Sequence, residues 1–113
     1  MKRGEVWTVA GGPDYAGKPR PAVILQDDAF DATRSVTICP LTTIDLDLRA
    51  TRPIILPSDE NGLWEASRLM VDKITTVART KLDRHVGRLS AEDINRMNRS
   101  VFVFLGLAGT AAR

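Results

Sequence analysis

Arg20 stands between two prolines in the run Lys18, Pro19, Arg20, Pro21, and it is the side chain best placed by its neighbours to do chemistry. Each proline fixes its own φ angle and biases the residue before it towards extended backbone, so Arg20 is held stiffly where a glycine-rich stretch enters an apolar run. A guanidinium offered from such a base can grip an anion through paired hydrogen bonds. A plain surface arginine at the start of a strand fits the same residues. The second candidate is the run Cys39, Pro40, Leu41, Thr42, Thr43. Pro40 has no amide hydrogen and favours the end or edge of a strand, after which the chain delivers two hydroxyls. Those hydroxyls suit a phosphate oxygen, and they equally suit a turn.

Other reactive side chains point to blander roles. The only histidine, His85, is far along the chain from Arg20 and Thr42 and reads as a structural or surface residue. The only cysteine, Cys39, lies in the mostly apolar stretch from Val36 to Leu41, so it reads as a small buried hydrophobe and no disulfide can form within the chain. No group of Asp, Glu, His and Cys shows metal-ligand spacing, so neither a metal nor another cofactor is expected.

Positioning Arg20 and the threonines requires a sheet. Glu5 to Val9 reads as a first strand, and Ala10 to Pro19, broken by Gly11, Gly12, Pro13, Gly17 and Pro19, as a loop. Arg20 to Gln26 forms a second strand whose nearly continuous apolar run implies burial on both faces. Val36 to Leu41, Thr51 to Leu56, Arg68 to Val71 and Ile74 to Val77 complete a set of about six short strands. This spacing implies a closed or strongly curled antiparallel sheet. The period then changes to that of a helix. Ser90 is a good N-cap with Glu92 and Asp93 in the first turn, and Ile94, Met97, Val101, Phe104, Leu105 and Ala108 recur on one face. Gly106 or Gly109 ends that helix. Phe102 and Val103 widen its apolar surface, which implies deeper burial or contact with a second subunit. The fold class is therefore α+β, a curled antiparallel barrel of about six strands with one long C-terminal helix, in a single domain over 1–113.

Composition narrows the function without naming it. With 113 residues, 43% of them apolar, the chain can bury a core without staples. The N-terminal residues lack the apolar centre of a secretory signal, and the longest apolar run, Val101 to Leu105, is too short to span a bilayer. A cytoplasmic protein with no membrane contact is expected. The net charge of +2 and a pI near 9.0 permit a polyanionic partner without demanding one. Arg68 to Arg99 is rich in basic residues, a pattern shared by nucleic-acid faces and ordinary solvated surfaces.

Taken in order, these segments resemble the MazF/PemK toxin family over nearly the whole chain. The matching runs are Arg3, Gly4, Glu5, Val6, Trp7; Arg20, Pro21, Ala22, Val23, Ile24; Pro40, Leu41, Thr42, Thr43; Gly62, Leu63 and Ser67; Met70 to Val77; and a turn at Val86, Gly87, Arg88, Leu89, Ser90 before the helix. The resemblance implies an SH3-like or CcdB-like barrel, a homodimer, and sequence-selective cleavage of single-stranded RNA. It also implies a cognate antitoxin whose disordered, often acidic tail occupies the RNA site. Arg20 falls on the family's catalytic arginine and Thr42 on its catalytic threonine. Ser67, Asp72 and Lys73 match positions lining the RNA groove, and Thr43 continues the threonine pair. Some members carry an acidic residue five positions before the arginine; here Tyr15 stands there and Asp14 one step earlier.

For metal-free cleavage the ribose 2′-hydroxyl attacks the phosphate, leaving a 2′,3′-cyclic phosphate and a 5′-hydroxyl. Arg20 would stabilise the charge and Thr42 would bond a phosphate oxygen or orient the ribose. Arginine is a poor acid or base, which leaves Asp14 and Asp72 as possible proton acceptors. In the loops Tyr15 would stack on a base or anchor the chain, and Lys18, Arg49 or Arg52 would hold phosphates. The rival reading is a CcdB-like toxin that binds DNA gyrase without catalysis. Such toxins act through a terminal helix end carrying a tryptophan, and the tail here has none; Trp7 and Trp64 read as core or interface residues.

Overall fold

A computed structural model describes residues 1–11 and 18–109. Among them are seven strands and one α-helix: β1 (Glu5–Val9), β2 (Arg20–Ile24), β3 (Ser35–Thr42), β4 (Ile54–Ile55), β5 (Ser67–Leu69), β6 (Thr75–Ala78), β7 (Leu82–Arg88) and α1 (Ala91–Phe104). All pairings are antiparallel, in the order β4-β5-β3-β2-β1-β7, with β6 also paired to β3. The curled antiparallel sheet with a C-terminal helix is the expected architecture. No described helix is long and apolar enough to cross a membrane.

The unbroken apolar run of β2 has its reason in the packing. Val23 joins one core with Val6, Cys39, Leu41, Ile55, Leu69, Val71, Leu89 and Met97. Its neighbours Ala22 and Ile24 join a second with Val9, Val36 and Ile38. Successive side chains of a strand point to opposite faces, so an interior strand covered on both sides must be apolar throughout.

Pro40 lies inside β3 rather than at its end. The first half of β3 pairs with β6, from Ser35↔Ala78 to Ile38↔Thr75, and its last residues pair with β5 at Leu41↔Leu69 and Thr42↔Arg68. Pro40 falls where one partner gives way to the other, and its carbonyl accepts from the Met70 amide on that side at 2.8 Å. Its missing amide hydrogen therefore interrupts no ladder.

The seventh strand was not expected. Leu82–Arg88 reads Leu-Asp-Arg-His-Val-Gly-Arg, too charged to announce itself, and the turn expected at Val86 to Ser90 is mostly strand. Pairing with β1 over Glu5↔Arg88 to Val9↔Leu82 holds it at the sheet edge, where one face meets solvent. Gly87 is required there, because a Cβ would collide with the carbonyl of Glu60 and with Asn61.

Helix α1 begins as expected, with the Ser90 hydroxyl accepting from the Asp93 amide at 3.1 Å. It packs as far as Val101: Met97 is buried, with Ile94 and Val101 against the same core. Phe102, Val103, Phe104 and Leu105 stay 45–56% exposed, so the expected stripe does not continue onto the sheet of its own chain. Gly106 ends the helix in the left-handed region at φ 75°, with Gly106 donating to the Val103 carbonyl and Leu107 to that of Phe102.

Candidate active site

The sheet brings the two residues singled out for catalysis to one rim. Ala22 pairs with Pro40 and Ile24 with Ile38, and the same register continued to the start of β2 sets Arg20 opposite Thr42. Both line a cleft of about 490 Å³ whose other walls include Pro40, Met70, Lys73 and Thr75. Arg20 is exposed at the strand start, and Lys73 is exposed at the end of the 3₁₀ turn Val71–Lys73. That turn is pinned to the sheet by Met70, whose amide bonds Pro40 and whose carbonyl accepts from Lys73 at 2.9 Å.

Thr42 is oriented by its own loop. Its Oγ1 accepts from the Ile44 amide at 3.2 Å, which uses a lone pair and leaves the hydroxyl hydrogen to donate into the cleft. Two cations and an oriented hydroxyl around one concavity can together hold an anion, and the flat fork of an arginine suits a phosphate.

The other expected groove residues divide. Thr43 and Ser67 line a second cleft of about 420 Å³ with Pro21, Trp64, Arg84 and His85. Ser67 is buried there and donates to the Glu65 carbonyl at 3.0 Å. Lys18 is exposed just before the rim, whereas Asp14 and Tyr15 lie outside the described residues.

Asp72 is committed to Arg52. The guanidinium of Arg52, 5% exposed, meets the carboxylate with two parallel bonds, Nε to Oδ1 at 2.8 Å and Nη2 to Oδ2 at 3.0 Å. These bonds hold the Asp72 carboxyl below its ordinary 3.8, against the opposing pull of partial burial. A carboxylate so stabilised is a weak proton acceptor, and Arg52 is not available to RNA phosphates as the sequence suggested. Arg68 extends this framework: Nε donates to Asp45 at 2.7 Å and Nη1 to the Arg52 carbonyl at 2.6 Å, tying the loop after Thr42 to β5. Arg49 is exposed in that loop, in the left-handed region at φ 52°.

His85 lies at the surface and Cys39 in the core, as expected. The His85 ring lies 5.3 Å from that of Trp7 and 3.7 Å from a Glu5 oxygen. Burial would raise the Glu5 carboxyl, but hydrogen bonds from the Trp7 indole and Lys2 amide, with His85 nearby, bring it below 4.5. Cys39 is buried, and desolvation pushes its thiol up to about 12, so it carries no thiolate at neutral pH. Trp64 is 96% exposed and belongs to neither core, which removes the core alternative expected for it and leaves the interface one. The polar run Ser58 to Asn61 followed by Gly62 marks a surface turn, and that signal outranks the size of the indole.

The fold and cleft define a class: small curled-sheet proteins with an arginine and a threonine at one rim of a shared cleft. Comparison with known proteins specifies it. Residues 2–105 match the family described as PemK-like, MazF-like toxin of type II toxin-antitoxin system. The chain is 50% identical over 109 residues to the probable endoribonuclease MazF of Mycolicibacterium smegmatis, covering 96% of this chain and 100% of that one. Endoribonuclease MazF9 of Mycobacterium tuberculosis is 27% identical over 118 residues, covering 95% and 98%. Among solved structures, a mycobacterial endoribonuclease in complex with its cognate antitoxin superposes with a TM-score of 0.79 at 25% identity, covering 95% of this chain and 96% of that one. This chain belongs to the PemK-like, MazF-like toxin family.

Proposed function

We propose that this chain is a sequence-selective, metal-independent endoribonuclease, the toxin of a toxin–antitoxin pair, which cuts single-stranded RNA by attack of a ribose 2′-hydroxyl on the adjacent phosphate. The observation that carries this reading is the cleft shared by Arg20, Thr42 and Lys73. Arg20 neutralises charge building on the phosphate, Thr42 donates to a non-bridging oxygen, and Lys73 draws the strand in. The scissile bond is P–O5′: the 2′-hydroxyl gives its proton to the Asp14 carboxylate or to water as its oxygen bonds to phosphorus, and the 5′-oxygen leaves and takes up a proton from water. Thr43 and Ser67 extend the RNA contact along the neighbouring cleft, with Lys18, Asp14 and Tyr15 contributing from the loop before β2. Asp72 contributes by fixing Lys73 through its bond to Arg52. Fixed charge and orientation supply most of the acceleration.

The active form is a homodimer of single-domain chains 1–113, a reading supported by the exposed apolar end of α1. The cognate antitoxin silences it with a disordered acidic tail whose carboxylates compete for the phosphate site. The family match over residues 2–105 disfavours a gyrase-binding toxin without catalysis. Action on cellular RNA places the protein in the cytoplasm.

The test is incubation of purified protein with a long RNA in EDTA, followed by mapping of the new ends. Cleavage at one short motif, leaving 5′-hydroxyl and 2′,3′-cyclic phosphate termini, is expected. Activity that appears only when a divalent metal is restored would contradict the mechanism, and absence of cleavage under either condition would contradict the function.

A further inference from the structure

We infer that the cleft beside Trp64 binds an unpaired base of the RNA strand next to the scissile phosphate, with the Trp64 indole as its stacking platform. This rests on the ribonuclease reading. Trp64 is 96% exposed, yet the loop that carries it is firmly built. Asn61 is buried, its Nδ2 donating to the Leu56 carbonyl at 2.9 Å and its Oδ1 accepting from the Ser58 and Leu63 amides at 3.0 and 2.9 Å. Gly62 follows at φ 70°, pressed against Val86 so closely that a Cβ would collide. A large ring held out in water by a rigid turn is preorganised for a flat ligand.

The surroundings select a nucleotide. Arg84 and His85 line the same cleft of about 420 Å³, offering a cation and a ring nitrogen, and Thr43 and Glu65 offer groups that can bond a base edge. Glu65 opposes a phosphate, so the backbone must pass on the Arg84 side. None of the exposed apolar residues at the end of α1 lines this cleft, so it is not part of that apolar face.

Continuity with the catalytic rim supplies the other half of the argument. Arg20 and Thr42 line the first cleft, and their chain neighbours Pro21 and Thr43 line the second. Consecutive Cα atoms lie about 3.8 Å apart and their side chains alternate between faces. The two clefts therefore open on opposite sides of one rim, and a single strand bending over the ends of β2 and β3 can occupy both.

The probe is a single-stranded oligodeoxynucleotide, which lacks the attacking hydroxyl and survives. Titrated into the wild-type dimer, it is expected to quench tryptophan emission, with most of the quenching lost in Trp64→Ala and Trp7 left as the internal reference. Binding should weaken by about 10-fold in Trp64→Ala and remain near wild type in Trp64→Phe. On RNA, KM should rise by a similar factor while kcat stays close to wild type. Equal binding and KM in wild type and Trp64→Ala would overturn the subsite while leaving the ribonuclease standing. So would absence of probe binding by wild type, or dissociation of the Trp64→Ala dimer in sedimentation, which would assign the indole to a subunit interface. A wild type that cuts no RNA would instead remove the parent reading.

Discussion

The rim where β2 starts and β3 ends and the strip joining β4 to the Val71–Lys73 turn each carry an arginine, and the two serve opposite ends. Arg20 is exposed at the mouth of a cleft with a hydroxyl and a lysine. Arg52 is 5% exposed and closed against Asp72 by two bonds of 2.8 and 3.0 Å. The first faces the cleft where a ligand would sit; the second is held in a two-bond ion pair that fixes the scaffold presenting Lys73. Identical side chains thus serve the cleft or the framework according to whether the fold sets them at an exposed rim or buries them within the scaffold.

Substitution should separate the two regions cleanly, and the largest effect belongs to the rim. Arg20→Ala is expected to slow RNA cleavage by roughly 10²- to 10³-fold, as loss of one donor to a developing oxyanion does, with an unchanged urea midpoint. Gel-based initial rates and urea unfolding check both halves. Asp72→Ala should do the reverse in stability, leaving a desolvated guanidinium uncompensated at about 3 kcal/mol, measured by urea unfolding at neutral pH.

The pair also sets a pH signature. Asp72 has a folded-state pKa held below its ordinary 3.8, so its stabilisation is complete above that value and is lost as pH falls through the lower folded value. The stability gap between wild type and Asp72→Ala should therefore be constant at neutral pH and shrink as the pH falls below 3.8. The smallest expected effect is at the helix. Ser90→Ala removes the cap that bonds the Asp93 amide at 3.1 Å and should cost about 1 kcal/mol with cleavage intact.

What could be read in advance was whatever local chemistry fixes. Prolines flanking Arg20 declare its stiffness, the apolar run after it declares a strand buried on both faces, and Ser90 followed by acids declares a helix start. The β7 strand was hidden because its stability comes from pairing with β1, which leaves Asp83, Arg84 and His85 in solvent and erases the apolar alternation. Arg52 and Asp72 are 20 residues apart, and nothing in either neighbourhood announces the other. For that reason Arg52 read as a phosphate ligand and Asp72 as a base. For Trp64, residue type alone does not choose between core and interface, and the polar run Ser58 to Gly62 just before it carries the signal for the surface. At the end of α1 the spacing is helical as expected, but periodicity cannot say whether an apolar face meets its own sheet or another chain.

The central claim is that Arg20 and Thr42 act on one phosphate, and a double-mutant cycle tests it most directly. Single-turnover cleavage rates would be measured for wild type, Arg20→Ala, Thr42→Ala and the double variant. Groups that share one transition state are strongly non-additive, so the double variant should be little slower than the worse single variant. Losses that simply multiply would mean that the two residues act independently, and would contradict the account.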